Sequence, residues 1–296
     1  MITFLELGNL GRLGNQLFQY SALKSLALHK GVAPILPPLQ SKTWHGQACQ
    51  LGEFNIECEY ASPADFNKIA NVYKEPDYMK FDAEFFNVPD NTNLHGFFQS
   101  TLYFQHCAEE IKKELTPKSV HMDKAHKVID SLRKKYPGYE IVSLHLRRGD
   151  NTDGSNPSSE LNEMYGKNNQ LDTESFYGKY ITAAFKEFEG KAVKYLVFSG
   201  GARFVGDDNE SDIEWCKRNF QGDNFIFSKG NTPINDFSLI SSCDHNILSH
   251  ISSFGWWAAY VNSNPNKIVV APERYHPDRP DYTHREGFYP PEWRMA

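Results

Sequence analysis

Ile141-Val-Ser-Leu-His-Leu-Arg-Arg-Gly-Asp150 is an apolar run that ends in His145, Arg147, Arg148 and Asp150. A short apolar run closed by glycine reads as a buried strand. Buried strands do not end in charge for packing reasons, because an unpaired charge is costly to desolvate. In an open parallel sheet, however, the carboxyl end of a strand is where ligands bind. Two adjacent arginines there point to a phosphate-bearing ligand, since the guanidinium fork matches phosphate oxygens bidentately. The competing reading is an exposed loop in which Arg148 and Asp150 pair with each other.

Outward from this strand, the second half alternates. A helix is expected over 172–188, a strand over 193–198, and a helix to 220 opened by the capping box Ser211-Asp-Ile-Glu214. Strands over 225–227, 246–248 and 268–271 follow, separated by helices over 233–241 and 252–262. That order predicts a Rossmann-like parallel sheet. Residues 272–296 hold five prolines and are expected to form a tail that packs back across the molecule.

Toward the amino end, a strand over 2–7 runs into Gly8-Asn9-Leu10-Gly11-Arg12-Leu13-Gly14-Asn15, then a helix over 16–29 and a strand over 32–36. Residues 40–100 are aromatic and rich in turn formers, with a helix start at Ser62-Pro63. Amphipathic helices are expected over 102–115 and 123–136, which makes Pro137-Gly138 the domain boundary. The expected organisation is an amino-terminal α/β domain over 1–137, a ligand-binding Rossmann-like domain over 138–271, and the tail over 272–296.

The chain has 296 residues, enough for two domains, and a formal charge of −6 that argues against a protein coating nucleic acid. No apolar stretch is long enough to span a bilayer, and Met1-Ile-Thr-Phe-Leu-Glu-Leu7 lacks a cationic leader. A cytoplasmic location is therefore expected, soluble or peripheral at the inner membrane. The five cysteines are scattered and form no Cys-x-x-Cys, so neither a zinc site nor a disulfide framework is suggested.

Two further turns are candidate anion sites. The glycine loop offers free N–H groups at a helix start, with Gly11 and Gly14 allowing close approach and Arg12 and Asn15 projecting. Its plainer reading is a βα turn with Asn15 as helix cap. Ser252 and Ser253 stand between a strand and a helix, where hydroxyls and amides bind phosphate, whereas Phe254, Trp257, Ala258 and Val261 have core spacing. There is no Gly-x-Ser-x-Gly elbow, Walker loop, His-Glu-x-x-His or metal-holding Asp-x-Asp. With no metal and no cofactor, a departing diphosphate must be neutralised by arginine and helix N-termini, and Arg147 is suited to that.

Gly11-Arg-Leu-Gly-Asn-Gln-Leu-Phe-Gln-Tyr20, His145-Leu-Arg-Arg-Gly-Asp150 and Ser252-Ser-Phe-Gly-Trp-Trp-Ala-Ala259, in this order, closely resemble the α-1,2-fucosyltransferase family within the wider fucosyltransferase superfamily. The closing Tyr289-Pro-Pro-Glu-Trp293 is similar to the ends of bacterial members. The resemblance implies an α/β, GT-B architecture of two Rossmann-like domains facing a cleft. It implies inverting, metal-independent transfer of L-fucose from GDP-β-L-fucose to the 2-hydroxyl of a terminal galactose on an oligosaccharide. By that resemblance Arg147 holds the β-phosphate, and His145, Arg148, Ser252, Ser253 and Phe254 lie on the nucleotide. Arg12, Gly14 and Asn15 approach from the first domain, and Arg147, Asp150 and Asn15 carry catalysis.

One departure from the family concerns the base. Relatives continue the strand at 193–198 into an acidic turn suited to guanine. Here Gly200-Gly201-Ala202-Arg203 intervenes before Asp212, so Asp212 is expected to reach the base only if the insertion loops out, with Asp207 or Asp208 as substitutes. The general base is also open between Asp150, Asp153, Glu160 and none, because Arg147 and Arg148 lower the basicity of Asp150. Rival readings are a fucosyltransferase of another linkage, a non-catalytic glycan- or nucleotide-binding relative, and an NAD-dependent oxidoreductase, which lacks its Gly-x-Gly-x-x-Gly.

Overall fold

The computed structural model describes residues 1–39, 43–44, 47–149, 152, 171–200, 212–250, 252–273 and 286–296. They divide into two compact units, Met1–Ser119 with His284–Pro290, and Val120–Thr283 with Pro291–Ala296.

The first unit is a parallel sheet of β1 (Ile2–Thr3), β2 (Pro34–Leu36), β5 (Glu59–Tyr60), β6 (Asn71–Lys74) and β7 (Thr92–His95), in the order β5-β2-β1-β7-β6. A small antiparallel pair, β3 (Thr43–Trp44) and β4 (Gln47–Ala48), lies in the segment between. Strand β1 is central, with Ile2 in register with both Pro34 and Thr92. It is shorter than the 2–7 expected, because the chain turns at once: Leu7 N–H donates to the Phe4 carbonyl and Asn9 N–H to that of Glu6.

Helix α1 (Leu13–His29) is buried from Leu13 to Ala27 at every residue but Asn15. Its polar members therefore need internal partners. Ser21 donates to Leu17, Ser25 to the Tyr103 carbonyl, and Lys24 and Tyr20 both meet the buried Glu114 carboxylate. A short α2 (Pro63–Phe66) carries the Ser62 capping box, and 3₁₀ turns replace the first half of the expected 102–115 helix before α3 (Ala108–Glu114).

Helix α4 (Ser119–Lys135) opens the second unit, so the division falls at 119/120 rather than at Pro137-Gly138. The cause is a clamp: Arg133 Nη2 donates to Asp244 Oδ1 at 2.7 Å, while Asp244 Oδ2 accepts the Ile141 N–H at 2.7 Å. The sheet runs β10-β9-β8-β11-β12-β13, all parallel. Its strands are β8 (Glu140–Arg147), β9 (Val193–Gly200), β10 (Phe225–Phe227), β11 (His245–Ile247), β12 (Val269–Ala271) and β13 (Arg294–Met295). Helices α5 (Phe176–Lys186), α6 (Asp212–Asn219), α7 (Pro233–Ser242) and α8 (Ser253–Tyr260) complete it. Strand β8 sits between β9 and β11 and is buried from Ile141 to Leu146, as a two-faced core strand must be.

The tail serves both units. Gly287 O accepts the Thr101 N–H and hydroxyl at 2.8 Å and Phe288 stacks on Phe18, whereas β13 adds an edge strand beside β12. All five cysteines are free thiols. Among the described residues no helix is long and apolar enough to cross a membrane.

Candidate active site

The carboxyl edge of the second unit's sheet gathers most of the candidates. Arg147 ends β8 in register with Gly200, and its Nη1 donates to the Gly200 carbonyl at 3.2 Å. Its N–H donates to Ser249 Oγ at 2.8 Å, so backbone and guanidinium are both fixed while the side chain stays half-buried.

Arg148 is a different residue altogether. It is buried, its Nε donates to Asp212 Oδ1 at 3.2 Å, and its guanidinium lies 3.9 Å from the centre of the Trp215 ring. The other Asp212 oxygen accepts the Gly149 N–H at 3.1 Å. Arg148 and Asp212, expected on the nucleotide and on the guanine base, are thus an ion pair buried against α6. Each neutralises the other, because two buried charges this close would be costly apart. Together they pin the start of the loop that follows Arg147 onto α6.

His145 lies on the same edge, buried, its ring 5.7 Å from that of Phe254. Burial, helped by the charge of Arg147, lowers its pKa to about 3, so it is a neutral imidazole at any working pH. Among the described residues its Nδ1 has no hydrogen-bond partner. A Cβ on Gly255 would come within 2.5 Å of that nitrogen, which is why α8 carries glycine there. Ser252 holds the cap position of α8 without capping it, and its buried Oγ is also unpartnered. Buried polar atoms ordinarily find partners, and two of those left without one among the described residues stand beside the α8 N-terminus. Ser253 and Phe254 are half-buried in the first turn, whereas Trp256 and Trp257 belong to the core.

One acid on this edge escaped the sequence reading. Asp236, in the first turn of α7, accepts from Ser228 Oγ and Asn231 Nδ2, both at 3.0 Å and both on Oδ1. Burial raises its pKa, and the two hydrogen bonds oppose that rise. Its neighbour Phe237 packs edge-on against Phe254 at 5.6 Å, so α7 is packed against the start of α8. A half-buried carboxylate following a strand was the available signal.

In the first unit, Arg12 rather than Asn15 occupies the cap position of α1, so the plain-cap reading of Asn15 fails. Asn15 lies inside the first turn with Gly14, and its Oδ1 accepts from Gln99 Nε2 at 2.5 Å. Gly11, at φ +86, leaves the space that the Asn15 carboxamide fills. Asp150, Asp153, Glu160, Asp207 and Asp208 lie outside the described residues.

Two parallel sheets on one chain, the second with Arg147 at its carboxyl edge, make an α/β protein of the GT-B type, an architecture of glycosyltransferases. The model of glycosyl transferase family 11 matches residues 4–296, and the chain belongs to that family. It is 27% identical over 285 residues to an alpha-1,2-colitosyltransferase of Escherichia coli, covering 88% of this chain and 89% of that one. It is 30% identical over 262 residues to galactoside alpha-(1,2)-fucosyltransferase 1 of Pan troglodytes and of Homo sapiens, covering 85% of this chain but only 63% of theirs. Among solved structures, POFUT1 in complex with GDP superposes with a TM-score of 0.50 at 13% identity, covering 90% of this chain and 95% of that one. That likeness bears on the fold alone.

Proposed function

We propose that this chain transfers L-fucose from GDP-β-L-fucose to the 2-hydroxyl of a terminal galactose on an oligosaccharide, with inversion and without a required metal. The observation that carries the reading is the fixed Arg147 guanidinium beside the unpartnered Ser252 Oγ and His145 Nδ1. In the proposed step the acceptor oxygen attacks the anomeric carbon, and the bond from that carbon to the β-phosphate breaks. The electron pair leaves with GDP, where Arg147 and the α8 N-terminus neutralise it. The hydroxyl proton goes to a carboxylate, Asp150 first, with Asp153 and Glu160 as alternatives, or to solvent.

Ser252 and Ser253 donate to phosphate oxygens, and His145 and Phe254 border the nucleotide. Asp236 takes over the guanine-reading role first given to Asp212. Its Oδ1 is engaged by Ser228 and Asn231, so Oδ2 is the oxygen available to accept guanine N–H groups. Arg12, Gly14 and Asn15 contribute from the first unit.

A second donor is favoured by one finding, the colitosyltransferase among the relatives. The test is a panel of galactose-ended acceptors in EDTA, with GDP-fucose and a colitosyl donor supplied separately, followed by linkage analysis. Fucose on the galactose 2-hydroxyl is the expected product. Hydrolysis without transfer, a strict metal requirement or another linkage would each contradict the proposal at a different point.

A further inference from the structure

The amino edge of the second sheet carries a cleft of about 640 Å³ that the proposed reaction does not use. It opens between the end of α5, the segment entering β9, and Tyr139 just ahead of β8, all within the second unit. Its size falls within the ~300–1,000 Å³ of small-molecule sites. Strand β9 runs from this cleft to Gly200, the register partner of Arg147. The stretch from Tyr195 to Gly200 covers about 17 Å at the rise of a strand.

Tyr195 lines the cleft while only 7% exposed. Its ring is fixed by Phe185 at 4.7 Å and by Phe225, stacked at 5.5 Å. The hydroxyl makes no hydrogen bond among the described residues, and burial, with nothing to oppose it, pushes its pKa up to about 12. A hydroxyl this buried ordinarily has a partner, so one left free on a cleft wall suits a ligand that enters. The rim is similar: among the described residues the Asn224 carboxamide, the Lys186 ammonium and the Glu189 carboxylate have no side-chain partner. Lys191, by contrast, donates to Glu140 Oε2 at 3.1 Å. One free cation and one free carboxylate leave the rim without net charge. Tyr139, 40% exposed, borders the cleft with the Lys194 ammonium 4.8 Å from its ring centre. Lys194 is itself tied to the Asp223 carbonyl at 2.8 Å, so that ring is backed by a fixed group.

We infer that this cleft is a second glycan site, one that binds a neutral saccharide remote from the transfer site. Sugar hydroxyls both donate and accept, so they pair with a phenol, a carboxamide, an ammonium and a carboxylate alike. The C–H face of a sugar ring supplies the apolar body that Tyr139 and Phe185 can cover. A phosphate-bearing ligand finds no net positive charge here, unlike at Arg147, and a wholly apolar one would leave the Tyr195 hydroxyl stranded. A glycan held at this edge raises the local concentration of acceptor for the same chain. The inference rests on membership of the glycosyltransferase family and not on which sugar is transferred.

The test is photolabelling of the full chain with a lactoside that bears a diazirine aglycone, mapped by peptide against lactoside concentration, with and without GDP. Label is expected on peptides holding residues 182–195 or 224; it saturates, survives GDP and is absent with the diazirine carrier alone. Tyr195→Phe removes only the hydroxyl and should raise the half-saturating concentration about fivefold, the worth of one neutral hydrogen bond. Tyr139→Ala should raise it by a similar factor. Thermal midpoints and the rate of transfer to saturating lactose should stay at the parental values, since neither residue serves Arg147. Should Tyr139→Ala melt early through its lost contact with Lys194, Tyr195→Phe decides the matter. Absence of label on these peptides, label that GDP displaces, equal label from the carrier alone, or unchanged half-saturation in Tyr195→Phe would each overturn the inference. A chain that labels as expected yet transfers no fucose contradicts the proposed transfer and leaves the second glycan site standing.

Discussion

The carboxyl edges of the two sheets differ in where a fixed cation stands and in how far their side chains bind their own turns. In the first unit the side chains of the edge mostly bind its own turns: Asn15, Gln16 and Gln19 bind Gln99 and the carbonyls of two turns, although Gln19 Oε1 is buried without a hydrogen-bond partner among the described residues. In the second unit, Ser252 Oγ and His145 Nδ1 are buried without hydrogen-bond partners among the described residues, and Arg147 is fixed from behind. An edge whose side chains are bonded chiefly to its own turns holds a few groups in place. An edge that leaves buried polar atoms unsatisfied is adapted to a ligand that satisfies them. A difference also separates two neighbours: Arg148 is buried against Asp212 and Trp215, whereas Arg147 is half-buried at the end of β8.

The largest effect expected from this contrast concerns Arg148. Arg148→Ala leaves Asp212 buried and uncompensated and should cost about 3–5 kcal/mol of stability, read by denaturant unfolding. A variant as stable as the parent would erase the distinction between the two arginines. Next comes pH. His145 and His250 are buried and neutral, each with its pKa lowered to about 3, whereas an unfolded histidine titrates near 6.5. The unfolded chain thus takes up protons that the native one refuses. Stability should hold above neutral pH and fall below about 6.5, by up to ~1.4 kcal/mol per pH unit for each histidine. Unfolding curves of His250→Phe, whose ring would sit among Phe176, Tyr177 and Tyr180, should show a shallower decline. An unchanged slope would mean that His250 is not held neutral.

Smaller effects sharpen the ligand side. Asp236→Ala should reduce the preference for a guanine nucleotide over an adenine one by roughly 10- to 100-fold, in line with ~1–3 kcal/mol for a good bidentate base contact. Competition of GDP and ADP against donor turnover would reveal it, and an unaltered ratio would remove Asp236 from the base site. Ser252→Ala should weaken GDP binding by about tenfold, the lower end for a hydrogen bond to a charged group, while leaving unfolding unchanged. Loss of stability instead would make that hydroxyl structural.

How far the sequence revealed this molecule follows the same division. The second sheet was legible because its strands are apolar and separated by clear helices, as in Ile141–Leu146 and Phe225–Phe227. In the first unit, β6 (Asn-Val-Tyr-Lys) and β7 (Thr-Asn-Leu-His) are polar, half-buried strands that composition hides. The α4 boundary was misplaced because Pro137-Gly138 marks a turn, while the Arg133–Asp244 contact that assigns the helix spans 111 positions. Arg147 and Arg148 look equivalent in the chain, yet β8 ends at Arg147, and Arg148 is buried against Asp212, a partner 64 positions away. The Gln99–Asn15 contact was invisible because its two residues lie 84 positions apart.

The central claim is that Arg147 is held ready for an anionic leaving group and does not serve the fold. Calorimetric titration of GDP into the parent and into Arg147→Ala, with thermal unfolding of each, tests it most directly. The account predicts that GDP binding falls by at least about tenfold, as for any lost charge-assisted hydrogen bond, with the unfolding midpoint retained. Parental affinity for GDP in Arg147→Ala, or a loss of affinity explained by unfolding, would contradict it.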